Sequence, residues 1–110
     1  YNLAHDYDGM LRWAYNSWPA DPQVDSRYGN WMAGDTYLVY PYNRSSIRFE
    51  RLIDGIETAE KVRALRRAGV DTSAVEAVLE KIRTQNASDP TLPWMDITVE
   101  ARKALHEVSR

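Results

Sequence analysis

The residue types most often used for chemistry are thinly spread along this chain. It has two histidines, His5 and His106, near opposite ends, and no cysteine. A metal centre needs several His, Cys or carboxylate ligands at characteristic spacings, and none occurs. There is no phosphate-cradling glycine loop, dinucleotide fingerprint or Gly-x-Ser-x-Gly elbow, so no cofactor is expected. His5-Asp6 is the one adjacent acid–imidazole pair and reads as a solvated turn. Carboxylates are plentiful but scattered. Cleaving a glycosidic bond takes two acids flanking that bond, or one acid plus a group that steadies the substrate's own acetamide. Asp21, Asp25 and Asp35 fall in or beside one long loop and could meet, but Asp21-Pro22 and Gly34-Asp35 are ordinary turn chemistry. We therefore expect no catalytic residue within the chain.

The aromatic residues are the sharper signal. There are four Trp and seven Tyr against one Phe. Tyr and Trp combine an apolar body with a polar handle and suit half-wet surfaces. Trp13, Tyr15, Trp18, Trp31, Tyr40 and Tyr42 gather around two apolar segments and the loop joining them. Sugars present apolar C–H faces on which such rings stack, while the indole N–H and phenol O–H stay available for hydroxyls. The competing reading is a core, which we expect for Trp13. For Trp18, beside Pro19, both readings stand.

Met10–Asn16 (M-L-R-W-A-Y-N) and Thr36–Tyr40 (T-Y-L-V-Y) read as strands. The first lies between Asp8-Gly9 and Ser17-Trp18-Pro19, and Pro41 stops the second. Residues 17–34, rich in Pro, Asp, Gly, Asn and Ser, read as a long loop. Ser45 or Ser46 should cap a helix running to about Ala68, with Phe49, Leu52, Ile53, Ile56, Ala59, Val62 and Leu65 on its inner face and Gly69 ending it. Gly55 inside that helix would be explained by a close packing contact. Ser73 with Glu76 predicts a capping box for a helix over about Ala74–Asn86, its stripe being Val75, Val78, Leu79 and Ile82. Ser88–Trp94 reads as a linker. Asp96 or Thr98 should cap a third helix carrying Ile97, Ala101, Ala104, Leu105 and Val108.

Both strands look apolar on both faces, the pattern of buried parallel strands. Two strands alone are marginal in water. The first residue is Tyr1 rather than Met, so we expect sister strands upstream in a longer polypeptide. The chain of 110 residues is 44% hydrophobic and 27% charged, enough apolar material for a core. Its net charge of −2 offers nothing to nucleic acid. No apolar run approaches the ~20 residues of a membrane span.

The run Gly34-Asp35-Thr36-Tyr37-Leu38-Val39-Tyr40-Pro41 is followed by Ser45-Ser46-Ile47-Arg48-Phe49-Glu50-Arg51-Leu52 and Asp54-Gly55-Ile56-Glu57. With Leu11-Arg12-Trp13-Ala14-Tyr15-Asn16-Ser17-Trp18 before it, this region resembles the C-terminal end of the catalytic domain in glycoside hydrolase family 123. The resemblance covers roughly Gly9 to Val62. It implies an α/β fold: the C-terminal fragment of a (β/α)8-type barrel, with about two strands and the closing helix, followed by two tail helices. The domains would then be 1–69, the end of the catalytic barrel, and 70–110, a helical tail.

The resemblance also implies a β-N-acetylgalactosaminidase-like enzyme acting on β-linked N-acetylhexosamine glycans by a substrate-assisted retaining mechanism. In such enzymes an adjacent Asp-Glu pair orients the acetamide and supplies the general acid. No Asp-Glu dipeptide occurs here, so the acids and the rest of the barrel are expected upstream in the same polypeptide, and the isolated chain is expected to be inactive. With the segments as the seventh and eighth barrel strands, substrate would meet Tyr15, Asn16, Trp18, Tyr40, Tyr42 and Arg44 at the strand exits. Asp35 would sit at the opposite rim. Exported members imply a secreted, periplasmic or cell-surface location. Tyr42 stands where the family often has Gly, and Thr58-Ala59-Glu60 follow Glu57 where Asp-Tyr-Glu is usual. A non-catalytic carbohydrate-binding or structural module is the alternative.

Overall fold

Ser46 and Gly69 bound the longest helix. In the computed structural model, which describes residues 1–85, 91 and 93–110, α1 spans Ile47–Arg67. The Ser46 hydroxyl accepts the Phe49 N–H at 3.2 Å, satisfying one of the first-turn donors. At the other end Gly69 takes φ +70°. Its N–H donates to Arg66 O and the Val70 N–H to Leu65 O, both at 3.1 Å, which is the Schellman closure that a left-handed glycine permits. Two further helices follow, α2 over Ser73–Arg83 and α3 over Trp94–Val108.

The chain divides into two units, Leu11–Glu57 and Tyr1–Met10 with Thr58–Arg110. The second is helical. α2 and α3 pack together, and Val75, Val78, Leu79, Ile82, Ile97 and Leu105 join Val62 and Ala4 in one core. Three arginines tie the N-terminal segment to this unit. Arg63 donates to Tyr7 O at 3.2 Å. Arg66 pairs with Glu76 at 2.5 Å and Asp6 at 3.3 Å. Arg83 donates to Ala4 O and lies 3.6 Å from both Asp6 and Glu76. Asp6 thus faces guanidinium groups.

The Leu11–Glu57 unit is built around Thr36, Tyr37 and Val39, which are buried. The Thr36 hydroxyl donates to Ser17 O at 2.7 Å, the Tyr37 hydroxyl to Pro22 O at 3.2 Å, and the Leu38 N–H to Tyr15 O at 2.7 Å. Ser46 Oγ, already the cap of α1, donates to Leu38 O.

The expected α/β barrel fragment is not what forms: the described residues hold three helices and no strand. The two apolar segments meet only in an isolated antiparallel bridge, Asn16 to Tyr37, and the other bridges, Tyr28 to Trp31 and Tyr40 to Arg44, close local turns. Two physical causes separate expectation and outcome. Met10–Asn16 is not buried on both faces: Leu11 is 96% exposed, Met10, Trp13 and Tyr15 are exposed, and Ala14 alone is buried. The Thr36–Val39 run satisfies its polar groups through side chains and single backbone bonds rather than a ladder.

Ser73 is the first residue of α2, not its cap. The Asp71 carboxylate accepts the Ser73 N–H at 2.9 Å, and Glu76 is taken by Arg66, so no capping box forms. α3 starts at Trp94 with Pro93 at the cap position, and Asp96 and Thr98 lie within the helix. Thr98 donates back to Trp94 O at 2.7 Å. Of the expected inner face of α1, Val62 is buried while Ile56 is exposed. Gly55 has no packing contact, since a Cβ built there meets nothing within 4 Å. Asn86 of the expected second helix, with Ser88–Pro90 and Leu92 of the expected linker, lies outside the described residues.

Candidate functional site

The turn after the buried Thr36–Val39 run gathers two of the expected sugar-facing residues. The Tyr40 N–H donates to Arg44 O at 2.8 Å, closing a loop whose central residues Tyr42 and Asn43 have φ +62° and +57°. Two successive left-handed residues make a type I′-like turn, where Asn-Gly is the usual pair. Asn tolerates this conformation, but a bulky tyrosine does so at a cost of ~1–2 kcal/mol. That strain has no burial to offset it, because Tyr42 is 89% exposed. Residues held in strained backbone conformations concentrate at functional sites.

Tyr42 and Arg44 line a pocket of about 310 Å³ with Pro41, Ala20, Asp21, Pro22 and Gln23. Asp21 Oδ1 accepts the Gln23 N–H at 3.1 Å, an Asx turn that fixes this wall. Pro22 is pinned from behind by the Tyr37 hydroxyl. The pocket thus offers an aromatic ring, a guanidinium, an amide and a carboxylate, a set able to hydrogen-bond a polyol while stacking on an apolar face.

The other expected contacts are distributed differently. Tyr15 is exposed and meets Phe49 edge-on at 6.1 Å. Asn16 is exposed at its bridge to Tyr37. Trp18 is half-buried, its Nε1–H donating to Val39 O at 2.7 Å. Tyr40 packs edge-on against Tyr37 at 5.3 Å. Burial, and then Tyr40, push the Tyr37 phenol above its ordinary value.

Trp13 is not in a core. It stacks on Trp31 with ring centroids 4.9 Å apart and a 29° interplanar angle, and each residue remains 53% exposed. Such a pair is worth ~0.5–1.5 kcal/mol beyond the area it buries. Sequence spacing carried no signal for this pairing, which brings together a segment and a distant loop.

The three candidate loop carboxylates have separate partners. Asp21 holds its own turn. Asp25 pairs with Arg27 at 2.6 Å, and hydrogen bonds from the Arg27 side chain and then its backbone N–H lower the Asp25 carboxyl to about 2. Asp35 is clamped by Arg12 through both carboxylate and carbonyl. Arg48 is a structural residue that sequence reading missed. Its guanidinium lies 4.8 Å over the Tyr37 ring, and its Nε–H donates to Tyr37 O at 3.1 Å. Among the described residues no three His, Asp or Glu side chains are grouped to hold a metal ion, and no helix is long and apolar enough to cross a membrane.

Comparison with known proteins adds one finding. The family model described as glycoside hydrolase 123, catalytic domain, matches residues 1–65. No curated protein and no solved structure matches the chain.

Proposed function

From the premise that this chain belongs to the glycoside hydrolase 123 catalytic-domain family, we propose that it supplies part of the glycan-binding wall of a hydrolase of β-linked N-acetylhexosamines. The pocket bearing Tyr42 and Arg44 is the observation that carries this reading. It combines an exposed ring held at conformational cost with polar groups that match sugar hydroxyls and an acetamide. Tyr15, Asn16, Trp18 and Tyr40 complete the proposed contact set, Trp18 and Tyr40 mainly by supporting the turn that presents Tyr42.

The proposed chemistry is substrate-assisted. The carbonyl oxygen of the 2-acetamido group attacks C1 as a general acid protonates the departing glycosidic oxygen. Water then opens the resulting oxazolinium ring, and the configuration is retained. The chain's loop carboxylates are engaged in turns and ion pairs, and no Asp-Glu dipeptide occurs in it. In this reading the acid and the acetamide-orienting carboxylate therefore come from residues outside these 110, and the enzyme acts on glycans met outside the cytoplasm.

An isotope-labelled chain titrated with methyl β-N-acetylgalactosaminide, methyl β-N-acetylglucosaminide and methyl β-glucoside tests the reading. The amide signals of Asp21, Gln23, Tyr42 and Arg44 should move with the acetamido sugars and stay put with the glucoside. Absence of any shift up to about 50 mM, a range that detects even millimolar binding, would remove the pocket from the substrate path. Release of aryl alcohol from an aryl β-N-acetylhexosaminide by the chain alone would overturn the assignment of the acids elsewhere.

A further inference from the structure

The Trp13–Trp31 stack is built like a recognition surface rather than a fragment of core. Stacking covers one face of each indole, and each tryptophan is still half exposed. Neither Nε1–H has a hydrogen-bond partner among the described residues, whereas the Trp18 Nε1–H is committed to Val39 O. Both rings are held by anchored neighbours. Trp13 lies between Arg12, clamped on Asp35, and the buried Ala14. The Trp31 N–H donates to Tyr28 O at 3.2 Å, closing the turn through Gly29 at φ +58°. The Asp35 N–H donates to Met32 O at 2.9 Å directly after it.

We infer that Trp13 and Trp31 form a second carbohydrate subsite, a stacking platform for a further pyranose ring of an oligosaccharide, separate from the Tyr42–Arg44 pocket. The occupant follows from the chemistry of the rings. A pyranose brings an apolar C–H face to the exposed indole surface and hydroxyl oxygens to the two free N–H donors. A purely apolar protein surface would bury those donors without partners, which is costly. The inference rests on the hydrolase reading, because it extends the same bound glycan to a second position.

The test uses the whole chain and a β-1,4-linked N-acetylglucosamine tetramer, with the indole N–H signals assigned by single Trp→Phe substitutions. The tetramer should shift the Trp13 and Trp31 indole signals and leave that of Trp94 in place. Trp13→Ala and Trp31→Ala should each weaken tetramer binding by on the order of tenfold, as expected for losing one stacked ring. Trp13→Phe, which keeps a ring and guards against misfolding, should retain most of the affinity. If the pocket amides move and these indoles do not, the platform is wrong and the hydrolase reading stands. If the indoles move and the pocket does not, the platform stands and the pocket assignment falls. Indole shifts that follow protein concentration but not sugar would overturn the platform in favour of self-association.

Discussion

Replacing Gly34 by alanine probes how Arg48 holds the Leu11–Glu57 unit together. Gly34 has φ +74°, and a Cβ there would lie 2.7 Å from Arg48 Nη1 and 3.1 Å from Cζ. The left-handed backbone alone costs an alanine ~1–2 kcal/mol. Full expulsion of the guanidinium from its place between Gly34 and Tyr37 would add to this. That forfeits a charged donor's hydrogen bond to Tyr37 O, worth ~1.5–3 kcal/mol, and a cation–π contact worth ~0.5–1 kcal/mol. With the guanidinium fully expelled, Gly34→Ala should therefore destabilise by about 3–6 kcal/mol, and by less where the guanidinium only shifts aside. Gly29, at φ +58° with open space around it, isolates the backbone cost, so Gly29→Ala should lose only ~1–2 kcal/mol. In an Arg48→Ala background, Gly34→Ala should fall to the same ~1–2 kcal/mol, because no guanidinium remains to be displaced. Urea unfolding followed by tryptophan fluorescence reads this unit, which holds Trp13, Trp18 and Trp31. Equal costs for Gly34→Ala in both backgrounds, within about 0.5 kcal/mol, would refute the reasoning.

Three other outcomes are expected. Gly55→Ala should stabilise α1 by ~0.5–1 kcal/mol, since the new methyl meets open space in a helical backbone; thermal unfolding should show a higher midpoint. Tyr42→Gly should relieve left-handed strain and raise stability by about 1 kcal/mol in urea unfolding, while abolishing the sugar-induced shifts at Arg44. The Asp25 carboxyl, lowered to about 2 from an ordinary 3.8, should titrate by NMR well below that ordinary value. Because the folded value is the lower one, its contribution is present above the ordinary value and is lost as pH falls towards about 2. Arg27→Gln should return the midpoint towards the ordinary value, and an unchanged midpoint would show that Arg27 is not the cause.

The resemblance read in Gly34–Glu57 and Leu11–Trp18 agrees with the family match over residues 1–65. Tyr42 sits at positive φ, where a glycine would avoid the strain that this chain retains. The cost and the exposure of the ring together motivate the substrate contact proposed for it.

The helices were legible because their signals are local. Ser46 and Gly69 marked the ends of α1 through bonds to residues three to five positions away. The Val75–Ile82 and Ile97–Leu105 stripes marked what α2 and α3 bury. The aromatic character of the first forty residues and the turn role of the loop aspartates were also readable from residue type alone. What remained for the tertiary structure was every outcome decided by a distant partner. Whether Met10–Asn16 and Thr36–Tyr40 pair as strands depends on neighbours to complete a ladder, and single bonds and side-chain hydroxyls met that need instead. Trp13 reads as core until Trp31 arrives from another loop and the two share one exposed stack. Glu76 fits a capping box until Arg66 claims it. Periodicity and capping report the energy of a segment with itself, whereas strand pairing, ring stacking and ion-pair choice depend on which segments the fold brings together.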